Sequence, residues 1–184
     1  MPRYVAFLRA INVGGHNTKM SELRRLFEPL GFSAVESFIA SGNIVFETNS
    51  RSGARLEGNI ETCLGKAFGY EVSTFVRTAA EVAAIAQFKP FAPSAVKSAG
   101  AFCVGFMTEP LGAESEQTVM GFKTAKDDFH VNGREIYWLC RKGQSESTFS
   151  NAALERKLGI RASFRGIKTI QRLAAKYPPL KKLS

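Results

Sequence analysis

Histidine, tryptophan and cysteine are scarce in this chain of 184 residues, which holds two His, one Trp and three Cys. Cys63, Cys103 and Cys140 are odd in number and far apart, and no two stand at metal-ligand or redox-pair spacing. That excludes a disulfide framework and a zinc module, so neither metal nor cofactor is expected. Cys103 and Cys140 fall in strand-like runs, where a free thiol behaves as a small buried hydrophobe. No run approaches the roughly 18 apolar residues of a membrane helix. The apolar run at residues 4–8 is too short for the core of a signal peptide. A cytoplasmic protein that does not enter the membrane is expected.

Catalytic patterns are missing too. The glycines form neither the dinucleotide nor the Walker pattern. His16 and His130 are the two histidines, and no carboxylate lies close in sequence to orient His16. No nucleophile, base and acid can be assembled from sequence alone. Asp127 and Asp128 precede a strand-like run and read as a turn cap.

What is present is core material: 45% hydrophobic residues, 11% aromatic and 15 Phe. A disordered chain is therefore excluded. The net charge of +9 is unevenly spread, because residues 141–184 carry eleven Lys or Arg against two Glu while residues 1–140 are neutral. A polyanionic partner fits that asymmetry.

Hydrophobic periodicity orders the elements. Strands are expected at residues 4–11, 34–40, 43–48 and 71–77. A helix capped by Thr18 and ending at Gly31 follows the first strand, and one at 54–68 ending at Gly69 follows the third. That order is βαββαβ, and it repeats. A short helix at 79–87 and a proline-rich link at 89–94 lead to strand 101–107, helix 113–122 and strand 128–131. The turn Asn132-Gly133, strand 134–140, helix 151–158, strand 161–164 and helix 167–177 complete the chain. The expected fold is α+β: duplicated ferredoxin-like βαββαβ units with antiparallel sheets, one over residues 1–78 and one over 79–184. The second includes a connecting helix and a basic C-terminal helix.

The topology points to a site. The loop leaving the first strand and the hairpin joining the next two must share one end of the sheet. In the first half they gather Arg9, Asn12, Gly14, Gly15, His16, Lys19, Ser41, Gly42 and Asn43. Backbone amides at the glycines, the positive end of the following helix and two cations suit a phosphate or carboxylate. In the second half the equivalent end is residues 108–112 opposite Asn132-Gly133, and it is less cationic. A second candidate is the last helix, where Lys168, Arg172 and Lys176 recur every four residues behind Arg161 and Arg165. Such a stripe suits a polyanion, although a solvated helix face is the favoured reading.

The motifs Leu8-Arg9-Ala10-Ile11-Asn12-Val13-Gly14-Gly15, Lys19-Met20, Glu22-Leu23-Arg24 and Ser41-Gly42-Asn43-Ile44-Val45-Phe46 closely resemble the bacterial family known as domain of unknown function 1697. Val76-Arg77-Thr78, Gly133-Arg134-Glu135-Ile136-Tyr137 and Asn151-Ala152-Ala153-Leu154-Glu155 carry the likeness onward. The resemblance implies a duplicated ferredoxin-like fold and no activity. Where Ala10 and Thr148 stand the family usually has Gly and Lys. Over residues 164–169 it usually reads Thr-Arg-Asn-Trp-Asn-Thr, and only Arg165 and Thr169 match.

The leading expectation is thus a binding protein for an anionic ligand: a nucleotide, phosphorylated metabolite or nucleic acid. The alternatives are a small-molecule enzyme using the same edge, with Lys19 or His16 as acid or base, and an interaction module without chemistry. The oligomeric state is not legible.

Overall fold

The computed structural model describes residues 1–9, 11, 18–39 and 42–180. Contacts group Met1–Ala86 and Arg172–Ser184 into one unit and Gln87–Gln171 into another.

In the first unit, β1 (Arg3–Leu8), α1 (Met20–Phe27), β2 (Ser33–Ser37), β3 (Asn43–Glu47), α2 (Gly53–Phe68) and β4 (Thr74–Thr78) follow in order, and α3 (Ala79–Gln87) comes next. The sheet runs β2-β3-β1-β4 with every pairing antiparallel. Alternation decides which side chains meet the helices. Tyr4, Ala6 and Leu8 of β1 join Ile44, Phe46 and Val76 in a core with Leu23 and Phe27 of α1 and Leu56, Ile60 and Leu64 of α2. Val5, Phe7, Val45 and Phe75, at the alternate positions, are buried as well.

The edge strand β4 would expose outward amides, a ready template for aggregation. Here each is taken by a glutamate. Thr74 N–H donates to Glu61 at 2.8 Å, Val76 N–H to Glu57 at 2.8 Å and Thr78 N–H to Glu81 at 2.7 Å. The last bond is half of a capping box, since Glu81 N–H donates back to Thr78 Oγ1 at 3.1 Å and so starts α3.

In the second unit, α4 (Pro93–Ser98) is followed by β5 (Ala101–Phe106), α5 (Ala113–Met120), β6 (Asp127–Asn132), β7 (Glu135–Cys140), α6 (Asn151–Leu158) and β8 (Ser163–Gly166). α7 (Ile167–Lys176) leaves directly from β8. This sheet runs β6-β7-β5-β8, again wholly antiparallel. Its core is aromatic, with the Phe149 ring 4.8 Å from Trp138 and 4.9 Å from Phe129. Phe164 lies across Gly105, where a Cβ would stand 2.5 Å from the ring. That ring is itself held by Trp138 and Phe149 at 6.3 and 5.8 Å. Gly105→Ala is therefore expected to cost about 1–3 kcal/mol by overpacking, read as a lower midpoint in urea.

Several expectations need correction. Lys19, not Thr18, is the N-cap of α1, and its own side chain makes no capping bond; Thr18 is buried instead. Pro93, placed in a link by composition, opens α4 because a proline is tolerated in a first helical turn. The β6–β7 turn is centred on Gly133-Arg134, since Asn132 still pairs with Glu135. Asp127 and Asp128 begin β6, and Asp127 also closes the turn ahead of it, as expected, accepting Thr124 N–H on its carbonyl and Thr124 Oγ1–H on its carboxylate, each at 3.0 Å.

Candidate functional site

β1 ends between two neighbours. Leu8 N–H donates to the Gly42 carbonyl at 2.8 Å, and Arg9 N–H donates to the Ser73 carbonyl at 2.8 Å. These bonds bring Arg9 to the sheet end where the β2–β3 hairpin turns.

Gly42 has φ 71, and a Cβ there would come within 3.2 Å of Leu8 Cβ, so both its conformation and its packing favour glycine. Asn43 is wholly buried. Its Nδ2 donates to the Phe38 carbonyl at 3.0 Å, and its own carbonyl accepts Phe38 N–H at 2.9 Å. Both residues shape the hairpin from inside. Ile39 beside them is 42% exposed with φ 59, a strained conformation for a β-branched residue. Arg9 is half-buried and Lys19 is exposed at the N-cap of α1. Asn12, Gly14, Gly15, His16 and Ser41 lie outside the described residues.

In the second unit the equivalent bond runs from Met107 N–H to the Arg134 carbonyl at 3.0 Å. His130 packs its ring 5.6 Å from Phe88 and 6.4 Å from Tyr137.

The five cations of the second candidate are variously engaged. Arg161 lies 3.7 Å from Glu155. Arg165 is half-buried, and its Nη1 donates to Ser163 Oγ at 2.8 Å and the Phe164 carbonyl at 2.9 Å. Burial pulls its pKa down to about 10. Arg172 sits 5.5 Å over the Phe38 ring. Lys176 stands 3.5 Å from Glu36, whose Oε2 also accepts the Tyr177 hydroxyl at 2.7 Å. That hydroxyl, ahead of Lys176, holds the Glu36 carboxyl below its usual range. Lys168 lines a cavity in the second unit.

One polar centre was missed by sequence reading. Asp127, 3% exposed, accepts Trp138 Nε1–H at 2.8 Å, Ser147 Oγ–H at 2.8 Å and Thr124 Oγ1–H at 3.0 Å. A lone Trp and an Asp at a strand start are its only sequence traces. The cysteines are free; Cys103 and Cys140 are buried, and Cys63 is partly so. Among the described residues no cluster of His, Cys, Asp or Glu could hold a metal ion, and no helix is long and apolar enough to cross a membrane.

Among the described residues, two antiparallel four-stranded sheets and seven α-helices define an α+β protein whose candidate site is a strand-end edge. The chain belongs to the family described as protein of unknown function (DUF1697), which it matches over residues 1–137. Among solved structures it is similar to the conserved bacterial protein SP0830 from Streptococcus pneumoniae, with 26% identity and a TM-score of 0.74. That likeness covers 96% of this chain and 98% of the other. No curated protein is a significant match.

Proposed function

We propose that the protein binds a small anionic ligand, a nucleotide or phosphorylated metabolite, at the end of β1. Arg9, Asn12, Gly14, Gly15, Lys19 and Ser41 would form the site, with Gly42 and Asn43 shaping the hairpin from inside. The observation that carries this reading is the Leu8–Gly42 bond, which supports a meeting of the strand-one exit and the hairpin at one edge. Arg9 and the N-terminal end of α1, with Lys19 at its N-cap, bring positive potential to that edge. The small-ligand form is preferred to nucleic acid because Lys176 and Arg172 of the C-terminal stripe already engage Glu36 and Phe38.

The scaffold in this proposal is a duplicated ferredoxin-like unit, its second copy beginning after Thr78. The registers support it: Val5 pairs with Arg77 and Val104 with Arg165, so an arginine stands at the same ladder position of each edge strand. Both guanidinium groups donate to the carbonyl of the preceding residue, at 2.9 Å. Free cysteines suit a reducing cytoplasm.

A thermal-shift panel of nucleotides, sugar phosphates and their uncharged parents tests the function. Anionic members should raise the melting temperature and the parents should not. Arg9→Ala with Lys19→Ala should weaken binding by at least about tenfold, the loss expected for charge-assisted contacts to an anion. Unchanged affinity in the folded double variant would refute the assignment.

A further inference from the structure

A cavity of about 450 Å³ opens in the second unit between the α4–β5 junction and the β8–α7 junction. That volume lies within the range of small-molecule sites. Its walls include two lysines, Lys97 and Lys168, and no carboxylate among the lining residues. Phe102 and Ile167 give it an apolar side. The Phe102 ring is braced by Phe91 at 5.5 Å.

The far wall is rigid. A Cβ at Gly100 would meet the Lys142–Gly143 backbone at 2.5 Å, and Gly100 N–H donates to the Arg141 carbonyl at 3.1 Å. Gln144 Nε2–H donates to the Cys103 sulfur at 2.8 Å and closes the floor. Burial pushes the Cys103 thiol up to about 11, so at neutral pH it is wall rather than nucleophile.

The last wall is the first turn of α7, a helix of ten residues. α3 leaves the equivalent strand of the first unit and carries a complete capping box, Thr78 with Glu81. α7 has neither member. Gly166 stands in place of the threonine and Thr169 in place of the glutamate, and no acidic residue lies in the first turn. The amides that α3 satisfies internally are thus left at the mouth of a cationic cavity.

We propose that this cavity is a second binding site, taking a small organic phosphate whose phosphate rests between Lys97, Lys168 and the first turn of α7. The apolar body of the ligand lies against Phe102. The site shares no residue with the β1 edge.

Phenyl phosphate is a suitable probe, with inorganic phosphate and phenol as controls, in an amide-resolved NMR titration of the full chain. Phenyl phosphate should shift the amides of Ile167, Lys168 and Thr169 and bind more tightly than either control. Lys97→Ala with Lys168→Ala should weaken it by at least about tenfold. Gly166→Thr with Thr169→Glu rebuilds the capping box of α3, and a Cβ at Gly166 meets nothing within 4 Å. That variant should melt at a higher temperature and yet lose the probe, because its own carboxylate occupies the amides. Absence of shifts at residues 167–169 would overturn the proposal. So would undiminished binding in both double variants, or phenol binding as tightly as phenyl phosphate.

Discussion

Replacing Asp127 with Ala is expected to destabilise the protein by about 3–5 kcal/mol, because charged hydrogen bonds are lost and buried donors are left unpaired. The carboxylate is 3% exposed and takes three donors from three separate segments. The costliest orphan is the Trp138 indole N–H, since Trp138 is itself only 6% exposed. Asp127→Asn keeps one acceptor oxygen and should cost about half as much. Urea unfolding at neutral pH measures both.

The same carboxylate gives the protein an acid dependence. Burial alone would raise its pKa, but the bonds from Trp138, Ser147 and Thr124 together outweigh it and hold the pKa below the ordinary 3.8. A group depressed in the folded state contributes stability that is complete above its unfolded pKa and disappears as pH falls through the folded one. The contribution should therefore be intact at neutral pH and fade below pH 3.8. The acid limb of stability should be shallower in Asp127→Ala than in the parent protein.

Removing Glu57 and Glu61 together should cost about 3–5 kcal/mol, from two charge-assisted hydrogen bonds to backbone amides. Glu57 is 4% exposed, so the Val76 amide it serves is not readily solvated when the acceptor goes. A second consequence follows from topology. β4 is an edge strand, and without its glutamates two outward amides become available to another chain. Glu57→Ala with Glu61→Ala should therefore raise light scattering on mild heating as well as lower the urea midpoint. Glu57→Gln with Glu61→Gln retains acceptors and should recover most of both losses. Equal loss in the Gln pair would mean that charge, not acceptance, holds the edge.

Periodicity made the element order legible, and helix ends were clearest where a glycine follows. Gly69 and Gly159 adopt the left-handed conformation expected after α2 and α6, whereas Gly31 does so after a 3-10 turn, Glu28–Leu30, because α1 itself ends at Phe27. Signals with two local readings were less reliable. Thr18 is a good capping residue by type, yet it is buried one position early and Lys19 takes the cap. Pro93 suits a linker and a first helical turn alike, and only context selects the turn. Asp127 read only as turn chemistry because two of its three partners lie 11 and 20 positions away.

The sites differ in the same way. The β1 edge could be inferred because topology alone forces the strand-one exit beside the hairpin, and the Leu8–Gly42 bond agrees with that. The inward roles of Gly42 and Asn43 could not, since packing against Leu8 and Phe38 is a tertiary fact. The cavity of the second unit was illegible because its lysines come from α4 and α7, far apart in the chain. Its most telling feature is the missing α7 cap, which shows only beside the cap of α3.

The β1-edge assignment is tested most directly by an amide-resolved NMR titration with AMP and its uncharged parent, adenosine. The account predicts saturable shifts at Leu8, Arg9, Lys19, Gly42 and Asn43 with AMP, none with adenosine, and their loss in Arg9→Ala with Lys19→Ala. Equal shifts with both compounds, or AMP shifts confined to the amides of Ile167–Lys176, would contradict it.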